Sequence, residues 1–430
     1  MLNDNIRQLG KNSPIMVYFL STLFVVFFSV QTIQDWQSRW APGVIILACT
    51  LPAFAVLVSN WSDLFKGKTW PVEIKIVIFI AILGILNICF SEDQLASFKG
   101  MGLFLISGVL VFSISFSLFN TKQTQRCFFY FCSFCFIVLL LYGTFEFIQQ
   151  LNIPEGRILL VSGNPIPAGS LLILLSSGPL ILLSKSKNNW QRLFWVFCLL
   201  SGAFLITLIA QRGPALAMVV MVFFLAATKR KGIWLFTLVA LIIVGAGYQL
   251  ADKIPSQFKN ELLKEETLLV RMELYHIALD VVKEKPIFGL GFNSSLSRFI
   301  PYDYQTKSYP TDRKSSFQGM VAGTYVFDNM ILSFLGEMGG FFTVAYIALG
   351  VYLVINIFKV KDSKLFDHSQ TLLIIIVLLG FVSHSMTFDS LKYPHLNWIF
   401  HSLLGLMANC KVSGNNYQSL SIPRADARPE

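Results

Sequence analysis

Arg212 stands in Ala210-Gln211-Arg212-Gly213-Pro214, a tight break between two apolar runs. A cation at a membrane boundary costs free energy unless it is paired, solvated or used. Two readings are open: a snorkelling side chain with its head in the interface, or an anion site, since a guanidinium forks onto phosphate oxygens. Arg271 lies within about two turns of an expected helix start, where free backbone N–H groups would add to a phosphate site. Its neighbours Glu265, Glu266 and Glu273 offer the alternative of an ordinary surface ion-pair face. Phe327-Asp328-Asn329 falls where the chain re-enters an apolar run that also holds Glu337 and Gly339-Gly340. Asp328 suits two compatible roles there, N-cap of the following helix and general base facing an aqueous cavity. His384 and Asp389 close another apolar run and make a second candidate acid/base pair, against the alternative of a hydrogen-bonded packing histidine. His395 and His401, in the last run, read as packing residues. Gly289-Leu290-Gly291 before Phe292-Asn293-Ser294 has no preceding strand and no third glycine, so it reads as a turn and not a dinucleotide loop. No His-x-x-x-His or carboxylate cluster has metal-ligand spacing, and neither a catalytic metal nor any other cofactor is expected.

The elements that must position these residues follow from composition. The chain has 430 residues, 54% hydrophobic and 13% charged, with a mean hydropathy of +0.62. Soluble proteins carry roughly 25% charged residues, so a soluble globular enzyme is excluded. The net charge of +10 would suggest nucleic acid only if the cations formed a patch. Most stand at the ends of apolar runs instead, and no nucleic-acid partner is expected. The seven cysteines have neither zinc spacing nor a short secreted scaffold around them, and read as buried apolar residues. A helix crossing the hydrocarbon needs about 20 apolar residues. Runs of that kind cover 14–30, 41–59, 72–90, 101–119, 127–147, 165–184, 193–210, 213–228, 233–251, 329–358, 371–387 and 394–410. The expected fold is an all-α polytopic membrane protein of about twelve transmembrane helices. With the N-terminus inside, nineteen of the 34 basic residues fall on cytoplasmic segments, and the short outer loops hold only Arg39, Lys99, Arg157, Arg212 and Lys392. Both termini are then cytoplasmic. The chain divides into 1–251 with the first nine spans, an outer loop 252–326, 327–412 with the last three, and a polar tail 413–430. Within the loop, Leu268, Leu269, Met272, Leu274, Tyr275, Ala278, Leu279 and Val282 give an apolar stripe near helical spacing. It predicts a surface helix from Glu265 to Lys285, ended by Pro286.

These residues, in this order, resemble the O-antigen ligase family, from about residue 150 onward. The resemblance rests on Gly163-Asn164-Pro165 through Ala168, Gln211-Arg212-Gly213, Arg271 with a helix leading to Pro286-Ile287-Phe288-Gly289-Leu290-Gly291, Asp328-Asn329 with Glu337-x-Gly339, and His384-Ser385 with Asp389. It implies a GT-C-like bundle with a large periplasmic loop before the tenth span, in the bacterial inner membrane. It implies transfer of a glycan from an undecaprenyl-diphosphate-linked donor to a hydroxyl of lipid A core or another glycan acceptor, among membrane lipids and without metal. Arg212 and Arg271 would hold the diphosphate, Asp328 and His384 would serve the proton transfer, and Asn164, Asn329, Glu337 and Asp389 would line the substrate side. Where the family pattern has His-Asn, this chain has Asp328-Asn329. The superfamily also contains O-antigen polymerases, so an O-antigen or exopolysaccharide polymerase is the alternative within the enzyme class. A transporter of lipid-linked or polar solutes is the alternative outside it.

Overall fold

The structure is a computed structural model that describes residues 2–28, 50–51, 71–150, 160, 165–209, 211–227, 265–294, 327–359 and 368–416. Among the described residues all regular structure is helical. The helices are α1 (Leu2–Phe28), α2 (Val72–Phe90), α3 (Gln94–Leu118), α4 (Lys122–Gln150), α5 (Pro165–Lys185), α6 (Asn189–Leu208), α7 (Arg212–Ala227), α8 (Glu265–Glu284), α9 (Met330–Phe358), α10 (His368–Ser385) and α11 (Pro394–Asn416). Helices α2, α3, α4, α5, α6 and α9 are each long and apolar enough to cross a membrane, and α1, α7 and α10 carry shorter apolar stretches. The chain is a multi-pass membrane protein. Apart from Thr50 and Leu51, the expected spans 41–59 and 233–251 lie outside the described residues, as do Asn164, the tail after residue 416 and the loop from 295 to 326.

The sequence of α2 shows why these helices sit in lipid. Its 19 residues reach about 28 Å at the α-helical rise, close to the hydrocarbon thickness. Val77, Ile80, Leu83, Gly84 and Asn87 recur at helical spacing and are buried, while Phe79, Ile82, Ile85 and Phe90 point outward and stay exposed. A helix that is apolar on both faces needs an apolar medium on the outside. In α5, by contrast, 94% of the apolar window is buried, against 33% in α2, so α5 forms the middle of the bundle. Gly178 lets α4 approach it, since a Cβ there would meet Phe129 O and Ser133 N at 2.6 Å. Cys132, Cys135 and Cys198 are buried as expected. Cys89 and Cys127 are not: both are exposed, and this corrects the expectation. The outer faces of α2 and α4 meet lipid, which accepts a thiol as readily as a protein core does.

Two of the described helices carry a π-turn, and each is answered by a polar side chain from elsewhere. In α3 the π-turn spans Leu105–Leu110. Asn397 of α11 donates to Phe104 O at 3.0 Å and to Ser107 Oγ at 2.8 Å, satisfying a carbonyl that the altered ladder leaves open. In α9 a first turn, Met330–Ser333, runs into a π-turn, Phe334–Met338, that ends at Gly339 with φ +84. That value is unfavourable for any residue with a Cβ. The break frees backbone groups, and the segment following α8 takes them up. Leu290 N donates to Gly336 O and Gly291 N to Glu337 O, both at 2.9 Å, while Gly340 N donates to Pro286 O at 2.8 Å. Asn87 Nδ2 on α2 closes the group with bonds to Phe288 O at 2.6 Å and Glu337 O at 2.8 Å.

Helix α8, expected from Glu265 to Lys285, runs from Glu265 to Glu284. Its buried face is Leu274, Ile277, Ala278 and Val281, with Met272 and Leu279 exposed, so the apolar stripe is rotated from the expected one. The spacing 274, 277/278, 281 is the set that turns toward one neighbour, and Val281 lies against Gly336 of the π-turn. The segment Gly289-Leu290-Gly291 is a turn, with φ +67 and +107 at its glycines.

Candidate functional site

Asp328 is not the N-cap of α9. Asn329 is: its side-chain oxygen accepts from Ile331 N at 3.0 Å and Leu332 N at 3.1 Å, and its amide donates to Met386 O at 3.0 Å. This corrects the expected cap by one residue. Asn329 has the extended backbone that a cap requires, whereas Asp328 has φ +49, a left-handed conformation in which Asp and Asn are enriched. With capping done by its neighbour, the Asp328 carboxylate turns to α8 and lies 3.6 Å from Arg271 Nε. Burial raises the Asp328 pKa above the ordinary carboxylate value; the Arg271 guanidinium opposes that rise and Asp389 adds to it. A carboxylate held this way takes up a proton more readily than an exposed one.

Arg212 opens α7, which packs on α10. Gly213 next to it lies against His384: a Cβ there would run into His384 Nδ1 and meet Thr387 Oγ1 at 2.6 Å. The absence of a side chain at residue 213 therefore lets the Arg212 turn sit on the imidazole. His384 is fully buried, with its ring against the Gly213 backbone. Its ring stacks on Phe388 with centroids 6.0 Å apart, and Arg271 is close enough to act on it electrostatically. Arg271 is thus next to both Asp328 and His384, with the Arg212 turn behind the imidazole.

A third set of charges lies beside these. Lys392 Nζ is 2.5 Å from Glu337 Oε1 and 3.3 Å from Asp389 Oδ2, and both carboxylates are 1% exposed. The other Glu337 oxygen accepts from Asn293 N at 2.9 Å, and the Lys392 ammonium lies 5.3 Å from the Phe292 ring centroid. Burial works against the charge on Lys392, but Glu337 and Asp389 more than offset it and raise its pKa. The Asp389 pKa is raised by burial despite the pull of Lys392. Tyr393 is pushed up to about 12 by burial and by the Asp389 and Asp328 carboxylates, so its hydroxyl keeps its proton.

The structure therefore brings Arg271, Asp328, His384, Asp389 and Glu337 into one neighbourhood, with Arg212 one residue from the contact with His384. Sequence reasoning missed Lys392 and Tyr393. Lys392 entered only as an outer-loop cation, although Asp389-x-x-Lys392 has the spacing at which side chains meet on one turn. His401 is a packing residue as expected, bonded to Tyr346 Oη and Asn397 O, each at 2.9 Å. His395 is buried without a hydrogen-bond partner among the described residues. Among those residues no group of three or more His, Cys, Asp or Glu side chains is arranged to hold a metal ion.

Residues 197–347 match the family model described as O-antigen ligase. The match supports the resemblance to the O-antigen ligase family over that segment. The matched segment contains Arg212, Arg271, Asp328, Asn329 and Glu337, and does not reach Asn164, His384 or Asp389. It implies a glycosyltransferase-like enzyme of the O-antigen ligase type, acting on a glycan or lipid-linked substrate in a lipid environment. No curated protein matches the chain.

Proposed function

We propose that this protein is an inner-membrane glycosyltransferase that moves a glycan from undecaprenyl diphosphate to a hydroxyl acceptor on the periplasmic face, with ligation of O-antigen to lipid A core as its reaction. The observation that carries this reading is the Arg271–Asp328 pair, within the family-matched segment, beside His384 and the Arg212 turn. A diphosphate leaving group needs fixed positive charge where its own charge develops, and two guanidiniums supply it without a metal. The acceptor hydroxyl oxygen attacks the anomeric carbon and forms the new C–O bond. The old bond to the diphosphate breaks, its electron pair leaves on undecaprenyl diphosphate, and the hydroxyl proton passes to Asp328. The raised pKa of Asp328 fits a group that must pick that proton up.

Arg212 and Arg271 hold the donor in this reading. Asn329 fixes the start of α9 and so the direction of Asp328. Asn164, which lies outside the described residues, keeps its role in donor binding from the family resemblance. Glu337 and Asp389 act through Lys392, shaping the wall of the site. His384 is the second candidate in the proton transfer, on the family resemblance and on its contact with the Arg212 turn. The distribution of Lys and Arg supports a periplasmic site with both termini in the cytoplasm.

The test is an in vitro transfer assay with purified full-length protein, undecaprenyl-diphosphate-linked glycan, and either lipid A core or a second donor molecule as acceptor. Glycan on lipid A core supports ligation. A ladder on the polyprenyl carrier would make the protein a polymerase using the same donor site. No transfer to either acceptor would overturn the enzyme reading in favour of transport.

A further inference from the structure

At the other end of α6 from the Arg212 turn is a groove of about 380 Å³ lined by Arg126, Tyr130, Lys185, Trp190, Gln191 and Trp195, among others. From Trp190 to Leu208 the helix rises about 27 Å, so this groove and the catalytic neighbourhood face opposite ends of the bundle. Its size is within the ~300–1,000 Å³ typical of small-molecule sites. Two cations, three large amphipathic rings and two further hydrogen-bonding side chains, Ser186 and Gln191, line it, with no carboxylate among its described lining residues. The Arg126 guanidinium lies over the Tyr130 ring, 5.7 Å from its centroid, which holds the charge in place without neutralising it. Arg192 Nε bonds to Ser186 O at 2.9 Å and so fixes the α5–α6 turn that presents Lys185 and Gln191. Leu182 and Phe194 complete the wall with apolar surface.

We propose that this groove binds the head group of an anionic phospholipid. The cations and the polar side chains suit a phosphate and its glycerol hydroxyls. Tryptophan and tyrosine are the residues that settle at the depth of lipid head groups. Basic pockets between membrane helices select anionic head groups on this principle. The position at the end of three adjacent helices, α4, α5 and α6, beside outward apolar side chains such as Phe197 and Phe134, places a lipid's acyl chains against the protein's lipid-facing surface. A free phosphate would use the cations but leave the apolar wall without a partner. The proposal concerns a site apart from the transfer chemistry, so it stands or falls independently of the function proposed above.

The test is native mass spectrometry of the full-length protein, released from detergent with phosphatidylglycerol or phosphatidylcholine of the same acyl chains. Wild type is expected to retain phosphatidylglycerol preferentially, and Arg126→Gln and Lys185→Gln each to reduce that preference about fivefold, the value of one cation near an anionic surface. Both side chains are exposed, and each variant is checked for unchanged helix content. Equal retention of the two lipids by wild type, or an unchanged preference in both variants, would overturn the proposal. Displacement of bound phosphatidylglycerol by millimolar inorganic phosphate would also overturn it, assigning the groove to a soluble anion.

Discussion

Replacing Lys392 by Met removes a cation that forms ion pairs with two carboxylates, each 1% exposed. Glu337 keeps the bond from Asn293 N, but neither carboxylate keeps its ion pair with Lys392. Breaking a buried pair in this way costs about 3–5 kcal/mol, because the remaining charge is left without compensation. The loss should depend on pH in a definite direction. Asp389 has a folded pKa raised by burial, with Lys392 as the main opposing influence, so its stability contribution is full below its unfolded pKa and is lost as pH rises through the folded pKa. Without Lys392 the folded pKa rises further. The destabilisation should therefore be largest at neutral and higher pH and shrink toward pH ~4, near the ordinary carboxylate value. Unfolding is measured by titrating the protein from mild detergent into sodium dodecyl sulfate, with a thiol-reactive dye reporting exposure of the buried Cys132, Cys135 and Cys198. The triple variant Lys392→Met, Glu337→Gln, Asp389→Asn should recover most of the loss, since it removes the charges together. A loss below about 1 kcal/mol at neutral pH, the scale of an exposed ion pair, would refute the buried triad. So would a loss that does not diminish in acid.

Arg212→Ala and Arg271→Ala should each lower the transfer rate by about 10²–10³-fold, the cost of removing one group that stabilises developing negative charge, with the protein still inserted in the membrane. Normal turnover in Arg212→Ala would remove it from the diphosphate site. Asp328→Asn should lower kcat by about 10²–10⁴-fold with little change in donor binding. The acid limb of kcat/KM against pH should lie above the ordinary carboxylate value of about 3.9 in wild type, and a limb that persists in the residual activity of Asp328→Asn would transfer the proton to His384. Gly213→Ala should cost about 1–3 kcal/mol by overpacking against His384 and displace Arg212, reducing donor affinity; wild-type donor affinity would show that the turn does not depend on this contact. Prior treatment with EDTA should leave transfer intact, and restoration of lost activity by a divalent cation would show that a metal takes part.

The membrane character, the six long apolar helices and α8 were legible because apolar periodicity and helix stops are local features of the chain. Arg212 and Asp328 could be proposed as candidates because a charge near a membrane boundary is costly and therefore conspicuous, and Arg271 because it stands near a helix start. What could not be read was set by tertiary position. Whether Asp328 or Asn329 caps α9 turns on one residue's φ, which neither side-chain type decides, and both are good caps. Lys392 looked like loop charge because its partners include Glu337, 55 residues away, joined to it only by the fold. The buried face of α8 was rotated because the sequence presents apolar residues on more than one side, and contact with the π-turn of α9 chooses among them.

The distance between Arg271 and Asp328 is set mainly by the main chain. Arg271 belongs to α8, whose end leads within a few residues into Pro286–Gly291, and that segment is bonded to the broken turn of α9 through three backbone hydrogen bonds and the Asn87 side chain. Asp328 stands at the other end of the same short piece of α9. The left-handed backbone at Asp328 and the break at Gly339 bracket this piece, and both are conformations that persist only when surrounding structure holds them. The bonds donated by Leu290 and Gly291 and the one accepted by Pro286 O provide that hold at the break. A straight α9 would need no such partners at Gly336, Glu337 and Gly340, and the outer segment would lose the attachment that keeps the guanidinium in front of the carboxylate. The interruption in the helix is thus what couples the polar segment, which carries one diphosphate-binding candidate, to the membrane helix that presents the candidate base.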